Sequence, residues 1–295
     1  MDSHPTSTTL AAILVGIAAS TGSAAPPTSS AVGFDGEGDL GPAVPMLISE
    51  FRSLTPGGAN AIAVSFDLEP GWHVYWPGQN TTGFPVDIIL SLPEGISAGE
   101  EIWPTPERYE LPGGILDHTF EDQVTVIIPI EVDERVESGR RVTIEAELDW
   151  LVCKDACLPG GAIATLEIDV AGGSQAPRRS RWADRFDTTR ANVPEPLPTS
   201  DPAVTIGPDP TGVRITPNLS AVKRAGGSID GMAFFPHQSG VTINDLIESG
   251  ETRGGTPMRL ALDRASDTPL RGVLQINRRG ASPLRYWIDT PVPRN

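Results

Sequence analysis

The sequence predicts an all-β protein, with one β-sandwich followed by a second, smaller β-rich domain. Two observations lead to this fold class. Several short segments alternate apolar and polar residues with a period of two, which is typical of half-buried antiparallel strands. In addition, 29 prolines and 31 glycines interrupt the 295 residues too often for long helices. They supply turns at the spacing that many short strands require.

Four segments between residues 60 and 170 show the alternation most clearly. Apolar residues occupy every second position of "NAIAVSFDL", "QVTVIIPIEV", "RVTIEAELDW" and "AIATLEIDV". In the third segment, Leu148 and Trp150 lie on the apolar face and Glu147 and Asp149 on the other. Together these strands predict one sandwich over residues 32–171.

The composition changes after this region. The segment 172–200 is rich in glycine, proline and arginine, and it predicts a linker with a short helix on which Trp182 and Phe186 share one face. Beyond it, further short strands are predicted, which place a second β-domain at 201–295. Their sequences are "AVTI", "GVRITP", "DGMAFFP", "MRLALD", "LRGVLQI" and "LRYWID".

The N-terminus has the pattern of a secretory signal peptide over residues 1–25. An apolar run from Leu10 to Ala19 precedes small residues suited to cleavage near Ala24 or Ala25. No lysine or arginine precedes the run, so a disordered or buried N-terminal segment is the alternative. The run is too short to span a bilayer. We therefore expect a soluble periplasmic or otherwise exported protein without stable membrane insertion, in a compartment where disulfides persist.

The net charge of −16 argues against two classes of partner. Nucleic acid is not expected as a partner, because its phosphates would repel such an acidic surface. Electrostatic docking on anionic lipid is disfavoured for the same reason. The charge otherwise indicates solubility.

The only two cysteines, Cys153 and Cys157, lie in "DWLVCKDACLPGG" between two predicted strands. The segment 153–161 is therefore predicted to be the tip of a β-hairpin. Extended residues four apart would lie roughly 13 Å from each other, whereas a disulfide needs Cα atoms within about 7 Å. The chain would have to curl at Lys154–Ala156, and Pro159-Gly160-Gly161 would help it turn back.

Three roles are open to this cysteine pair. A bridge that closes about five residues gains only on the order of 2 kcal/mol from chain entropy, and exposed, strained bridges are the more easily reduced ones. Both points favour a redox pair over a structural disulfide, which is the alternative. Thiolates at C-x₃-C spacing with a histidine could also bind copper or zinc. His73, His118 and His237 lie in no ligand motif, and we predict neither a metal nor another cofactor.

Aromatic residues are frequent in the same region. We expect Trp72 and Trp150 in the sandwich core, and Tyr109, in the Pro/Gly-rich "PTPERYELPGG", on a mobile surface loop. Beside the thiols, Lys154 would favour the thiolate, whereas Asp155 would oppose it. The plain alternative for both charges is a solvated turn.

Three segments in a fixed order resemble the N-terminal periplasmic module of the DsbD and ScsB transmembrane thiol reductases. They are "GWHVYWPGQNTTGFP", "WPTPERYELPGG" and "WLVCKDACLPGG", and the later "GMAFFP" and "LRGVLQI" resemble the second β-domain of ScsB-like members. The resemblance implies an immunoglobulin-like sandwich, in agreement with the strand pattern. It implies that Cys153 and Cys157 are the redox pair, that Cys157 forms the mixed disulfide with partners, and that Tyr109 caps the pair. The residues expected to surround the pair are Trp72, Tyr75, Trp150, Lys154 and Asp155.

The resemblance also implies the reaction. The family's cysteine pair takes electrons from a membrane domain and passes them to exported thioredoxin-like proteins. This sequence shows neither a transmembrane bundle nor a thioredoxin domain, so we expect a separate membrane protein as electron donor. We expect a thiol–disulfide oxidoreductase of the protein-disulfide reductase type. The alternative is a secreted β-sandwich binding module with a structural disulfide.

Overall fold

The computed structural model describes residues 25–34, 40–172, 177–263 and 268–293. The predicted signal peptide lies outside these residues, apart from Ala25. Within them, the first part of the chain forms twelve strands. In chain order these are β1 (Thr28–Gly33), β2 (Ala43–Ser49), β3 (Ser53–Leu54), β4 (Asn60–Leu68), β5 (His73–Tyr75), β6 (Asp87–Ser91), β7 (Ile96–Ala98), β8 (Glu107–Leu111), β9 (Ile115–Glu121), β10 (Gln123–Val132), β11 (Arg141–Cys153) and β12 (Cys157–Val170).

The second part contains nine strands and, with the segment before it, three short helices. They are α1 (Ala183–Arg190), β13 (Glu195–Pro196), β14 (Val204–Asp209), β15 (Gly212–Pro217), α2 (Leu219–Arg224), β16 (Ser228–Pro236), β17 (Ile243–Asn244), α3 (Leu246–Ser249), β18 (Glu251–Arg253), β19 (Met258–Leu262), β20 (Leu270–Arg279) and β21 (Ala281–Thr290). No helix in the described ranges is both long enough and apolar enough to cross a bilayer.

The strands assemble into four mostly antiparallel sheets. In the first part, a sheet of order β1-β12-β11-β5-β9-β8, with β3 beside β12 and β6 beside β11, faces a sheet of order β2-β4-β10-β7. This immunoglobulin-like sandwich confirms the predicted fold class. In the second part, the sheet β13-β21-β20-β16-β18 accompanies the sheet β14-β15-β19-β17. The division into domains at residues 171 and 201 stays a prediction.

The alternating segments supply the core of the sandwich. The predicted apolar faces of β4, β10, β11 and β12 are buried, for example at Val64, Val126 and Leu148. On β4 and β10, however, the opposite face is buried as well, so the prediction of half-buried strands is wrong there. The reason is α1, whose Phe186 packs on Ile127 and its neighbours across the outer surface of the β2-β4-β10-β7 sheet.

The predicted linker 172–200 is packed along most of its described length. Arg190 of α1 makes a bidentate ion pair with Glu50, with N–O distances of 2.6 and 2.7 Å, and Ser180 Oγ donates to the Ser49 carbonyl. Further on, β13 pairs with β21 in the second part of the chain. The segment therefore joins the two parts through contacts with both.

The two parts also share apolar contacts directly. Ala233, Phe235 and Val273 of the second part are buried in the core cluster of the sandwich, and Leu116 of the sandwich is buried in the other core cluster. Between them lies a group of edge-on rings, in which Trp76 contacts His118 and His237, His118 contacts Phe235, and His237 contacts Trp287. The second part is thus built against the sandwich rather than appended to it.

His118, which lies between the two parts of the chain, should make the free energy of unfolding depend on pH. His118 is fully buried, and burial, with the charge of Arg108 as the second cause, lowers its pKa to about 4. The unfolded chain binds this proton near pH 6.5, so the folded state loses stability as the pH falls from 6.5 towards 4. Between pH 7 and pH 5 this one group should remove about 2 kcal/mol.

We expect His118→Phe, which keeps an aromatic ring against Phe235, to lose less stability than the native protein over the same pH interval. Urea unfolding at pH 7 and pH 5 measures the difference. Equal losses in both proteins would show that His118 does not bind its proton preferentially in the unfolded state.

Candidate functional site

The cysteine pair lies at the end of the longest hairpin of the sandwich. Strands β11 and β12 pair residue for residue from Arg141 and Asp169 to Cys153 and Cys157. The two cysteines form a disulfide with their Cα atoms 4.1 Å apart. Only Lys154, Asp155 and Ala156 connect them, and the Lys154 amide donates to the Ala156 carbonyl at 3.1 Å. The chain therefore curls at Lys154–Ala156, as the sequence predicted.

The second half of the predicted turn is wrong. Pro159, Gly160 and Gly161 lie within β12, opposite Leu151, Trp150 and Asp149. A Cβ atom at Gly160 would lie 2.3 Å from the Trp150 ring, and one at Gly161 would lie 2.4 Å from the Phe34 ring. These glycines admit aromatic rings close to the strand backbone, and they do not turn the chain.

The two cysteines differ in their access to solvent. Cys153 is 3% exposed, whereas Cys157 is an exposed residue at the start of β12. Cys153 lies between two neighbouring strands, since it pairs with Cys157 of β12 and with His73 of β5. A thiolate that approaches from solvent therefore meets Cys157 first.

Three rings form what we call the aromatic layer: His73 and Tyr75 of β5 and Tyr109 of β8. The Tyr75 hydroxyl oxygen lies 4.0 Å from Cys157 Sγ. The His73 ring lies between the other two, with centroid distances of 4.6 Å to Tyr109 and 5.4 Å to Tyr75. Burial lowers the pKa of His73 and raises the pKa of Tyr75. Both shifts favour the neutral forms, so the layer presents an uncharged surface beside the disulfide.

Tyr109 is placed differently from the prediction of a mobile loop. It lies in β8, which pairs with β9 so that Tyr109 is opposite Asp117. The turn that follows uses Gly113 and Gly114, both with positive φ, which glycine adopts without strain. The ring contacts His73, and Tyr75 is the layer residue with a hydroxyl beside the sulfur.

The remaining predicted residues lie around the pair. Trp150 is buried in the core against Phe66, with a centroid distance of 5.2 Å. Trp72 is partly buried and packs against the edge of the same core. Lys154 Nζ donates to the Pro70 carbonyl at 3.0 Å, and so ties the turn to the chain before β5. Asp155 is exposed on the turn.

The sequence did not reveal the loop that supports Tyr75. The carboxylate of Asp117 is buried. It accepts hydrogen bonds from the amides of Thr81 and Thr82 at 2.7 and 2.9 Å and from the Thr82 hydroxyl at 2.5 Å. That hydroxyl lies 3.3 Å from the Tyr75 hydroxyl, and a Cβ at Gly83 would lie 2.1 Å from the Tyr75 ring. The polar run "TTG" at residues 81–83, a few residues after β5, was the available signal.

A metal site would need several histidine, cysteine or carboxylate side chains close together. Within the described ranges, no group of three or more histidine, cysteine, aspartate or glutamate side chains is arranged to hold an ion. The prediction that the protein uses no metal is not tested by this.

A family model supplies the decisive comparison. The model described as "Thiol:disulfide interchange protein DsbD, N-terminal" matches residues 46–166, which include both cysteines and the aromatic layer. This segment is a DsbD-like N-terminal module. The matched part of the chain runs from within β2 to within β12, and so coincides with most of the sandwich.

Solved structures extend the likeness beyond the DsbD-like module. The N-terminal periplasmic domain of ScsB from Proteus mirabilis is 15% identical, with 90% of this chain and 100% of that chain covered and a TM-score of 0.54. It shows the same overall fold across both parts of the chain. The reduced DsbD N-terminal domain of Neisseria meningitidis is 13% identical over 45% of this chain and 90% of that one, at a TM-score of 0.26. No curated protein matches the chain.

The packing of Trp150 under the hairpin can be tested at Gly160. We expect Gly160→Ala to destabilise the protein by about 1–3 kcal/mol, because its methyl group would overlap the buried Trp150 ring. Urea unfolding followed by tryptophan fluorescence measures the change. Gly207→Ala in β14 is the matched control, since a Cβ there meets no atom within 4 Å. Equal effects of the two substitutions would contradict this account of Gly160.

Proposed function

We propose that this protein is an exported thiol–disulfide exchange protein in which Cys153 and Cys157 are the redox pair. One observation carries the proposal: the only two cysteines are joined at the tip of a hairpin, with one of them exposed, inside a DsbD-like module. The activity is that of a protein-disulfide reductase or a related oxidoreductase.

The exchange takes place in two steps. A thiolate of the partner attacks Cys157 Sγ, the bond between the two sulfurs breaks, and Cys153 leaves as a thiolate, which gives a mixed disulfide. The second thiol of the partner then attacks the partner's first cysteine sulfur, which is bonded to Cys157 Sγ, and Cys157 leaves as a thiolate. The partner is oxidised to its disulfide, and the pair receives two electrons. The same steps in reverse pass the electrons on to an acceptor.

The difference in exposure supports the assignment of roles. Cys157 is open to a partner, while Cys153 is buried. Tyr75, which lies beside Cys157 Sγ, and Tyr109, which lies against His73, would restrict attack to partners that dock in a suitable orientation. Lys154 and Asp155 frame the turn, and Trp72 and Trp150 support it from the core.

A purely structural bridge is the less favoured role. The pairing of β11 with β12 continues up to the cysteines themselves, so the sheet already holds them together. A disulfide stabilises mainly by restricting the unfolded chain, and a bridge over so few residues restricts little. The alternative of a binding module with a structural disulfide therefore explains less of the geometry.

The partners are proposed on the same basis. Thioredoxin-like exported proteins fit as the acceptors, and a separate membrane protein fits as the electron donor. The likeness to a domain described as periplasmic supports an exported location, and the predicted signal peptide agrees with it.

Reduction should leave the fold intact. Because β11 and β12 pair at every position from Arg141 and Asp169 to the two cysteines, we expect a mild dithiol to make both cysteines reactive to a thiol label while circular dichroism stays unchanged. The reference is the untreated protein, which should take up no label. Loss of the β-sheet signal on reduction would assign the bridge a structural role.

Partner capture should depend on which cysteine remains. In Cys153→Ser, Cys157 stays exposed and this chain has no second thiol, so a thioredoxin-like protein that has lost its own second active-site cysteine should accumulate as a mixed disulfide. In Cys157→Ser, the remaining Cys153 is buried and capture should be at least about tenfold lower.

Incubation with a thioredoxin-like protein that keeps one active-site cysteine, activated as its mixed disulfide with thionitrobenzoate so that thionitrobenzoate is the leaving group, followed by non-reducing electrophoresis, measures the yield. Equal capture by the two variants would overturn the role of Cys157. Capture by neither variant would count against the exchange function.

A further inference from the structure

The second part of the chain contacts both elements that carry the aromatic layer. The first contact is through Arg108 on β8. Its side chain is 8% exposed, and Nη2 lies 3.4 Å from the Ile247 carbonyl and 3.5 Å from the Leu246 carbonyl of α3. Consecutive residues of a strand point to opposite faces. Arg108 therefore reaches the second part of the chain while Tyr109 faces His73.

The guanidinium suits this position on α3. The Leu246 carbonyl also accepts the Gly250 amide at 2.8 Å, and a cation near the carbonyl groups at a helix C-terminus is favourable. The adjacent Gly250 leaves room, since a Cβ there would lie 2.9 Å from Arg108 Nη1. Glu110 on the same strand pairs with Nη2 at 2.6 Å and holds the guanidinium in place.

The second contact follows β5. The side-chain amide of Gln79 donates to the Ile243 carbonyl at 2.7 Å and accepts from the Ile243 amide at 2.9 Å. Its backbone amide donates to the Pro236 carbonyl at 2.9 Å, and the Gln238 amide donates to the Pro77 carbonyl at 3.1 Å. This segment leads from Tyr75 into the loop 81–83 that encloses the Tyr75 ring. The second part of the chain thus holds the supports of Tyr75 and Tyr109 together.

We infer that the second part of the chain positions the aromatic layer at the redox pair, with Arg108 as the positioning residue that acts through Tyr109. The inference rests on the proposed function for the meaning of the disulfide, but the contacts do not depend on it. Among the described strands, β8 ends its sheet and has β9 as its one neighbour. An edge strand with one neighbour opens locally at low cost unless something else holds it. The hydrogen bonds from Arg108 to the carbonyls of α3 stabilise the closed position of β8.

Loss of the Arg108 contact should make the disulfide easier to attack. A water-soluble phosphine is a suitable probe because it attacks a sulfur whatever the biological role of the bridge. The phosphine is oxidised to its oxide with oxygen from water, and the bridge becomes two thiols. In the full chain, Arg108→Ala and Tyr109→Ala should each raise the rate of phosphine reduction roughly fivefold or more, because local opening exposes the site.

Two further variants separate positioning from general destabilisation. If Arg108 acts through Tyr109, the double variant Arg108→Ala/Tyr109→Ala should react at the rate of Tyr109→Ala alone, because the two effects are not independent. Arg108→Lys keeps a cation for the α3 carbonyls and should restore a rate within about twofold of the native protein. Arg224→Ala, which breaks an exposed ion pair with Asp201 elsewhere in the second part, is the matched control and should leave the rate unchanged.

The outcomes are distinct. Additive rates in the double variant, a native rate in either single variant, or no rescue by lysine would each overturn the inference. Gln79→Ala provides a second route if Arg108→Ala fails to fold, and a native rate in that variant would also overturn it. Failure of the proposed function would appear in two other experiments. The protein would unfold on reduction, or the cysteine variants would capture no partner although they fold normally.

Discussion

The pairing of β11 with β12 is the constraint on which the site depends. Its unbroken register brings Cys153 and Cys157 opposite each other at the last position before the turn. The strand alternation places Trp150 in the core beneath that turn, and Gly160 gives the ring the space it needs. The positions of the sulfurs thus follow from sheet geometry, and the bridge forms where the sheet has already placed them.

The sequence predicted the features that depend on the two-residue alternation of apolar side chains and on the order of the segments along the chain. The alternation in β4, β10, β11 and β12 located the sandwich, and the hairpin between the last two located the cysteines. The wrong predictions share a physical cause, which is contact between segments distant in the chain. Burial of the outer face of β10 depends on Phe186 of α1, and the roles of Gly160 and Gly161 depend on rings across the sheet.

The same cause explains what was missed around the disulfide. Tyr109 lies in a strand that shows no alternation, because one face meets His73 and the other meets α3. The buried carboxylate of Asp117 organises a loop more than thirty residues earlier in the chain. Local propensity contains no information about such partners, whereas the family resemblance pointed to Tyr109 through motif order alone.

The shared core has a consequence for how such a protein can change over generations. Phe235 and Val273 complete the interior of the sandwich, so a gene shortened before them would encode a sandwich with an open apolar wall. A lineage that lost the second part would first need new side chains to close the space around Trp76.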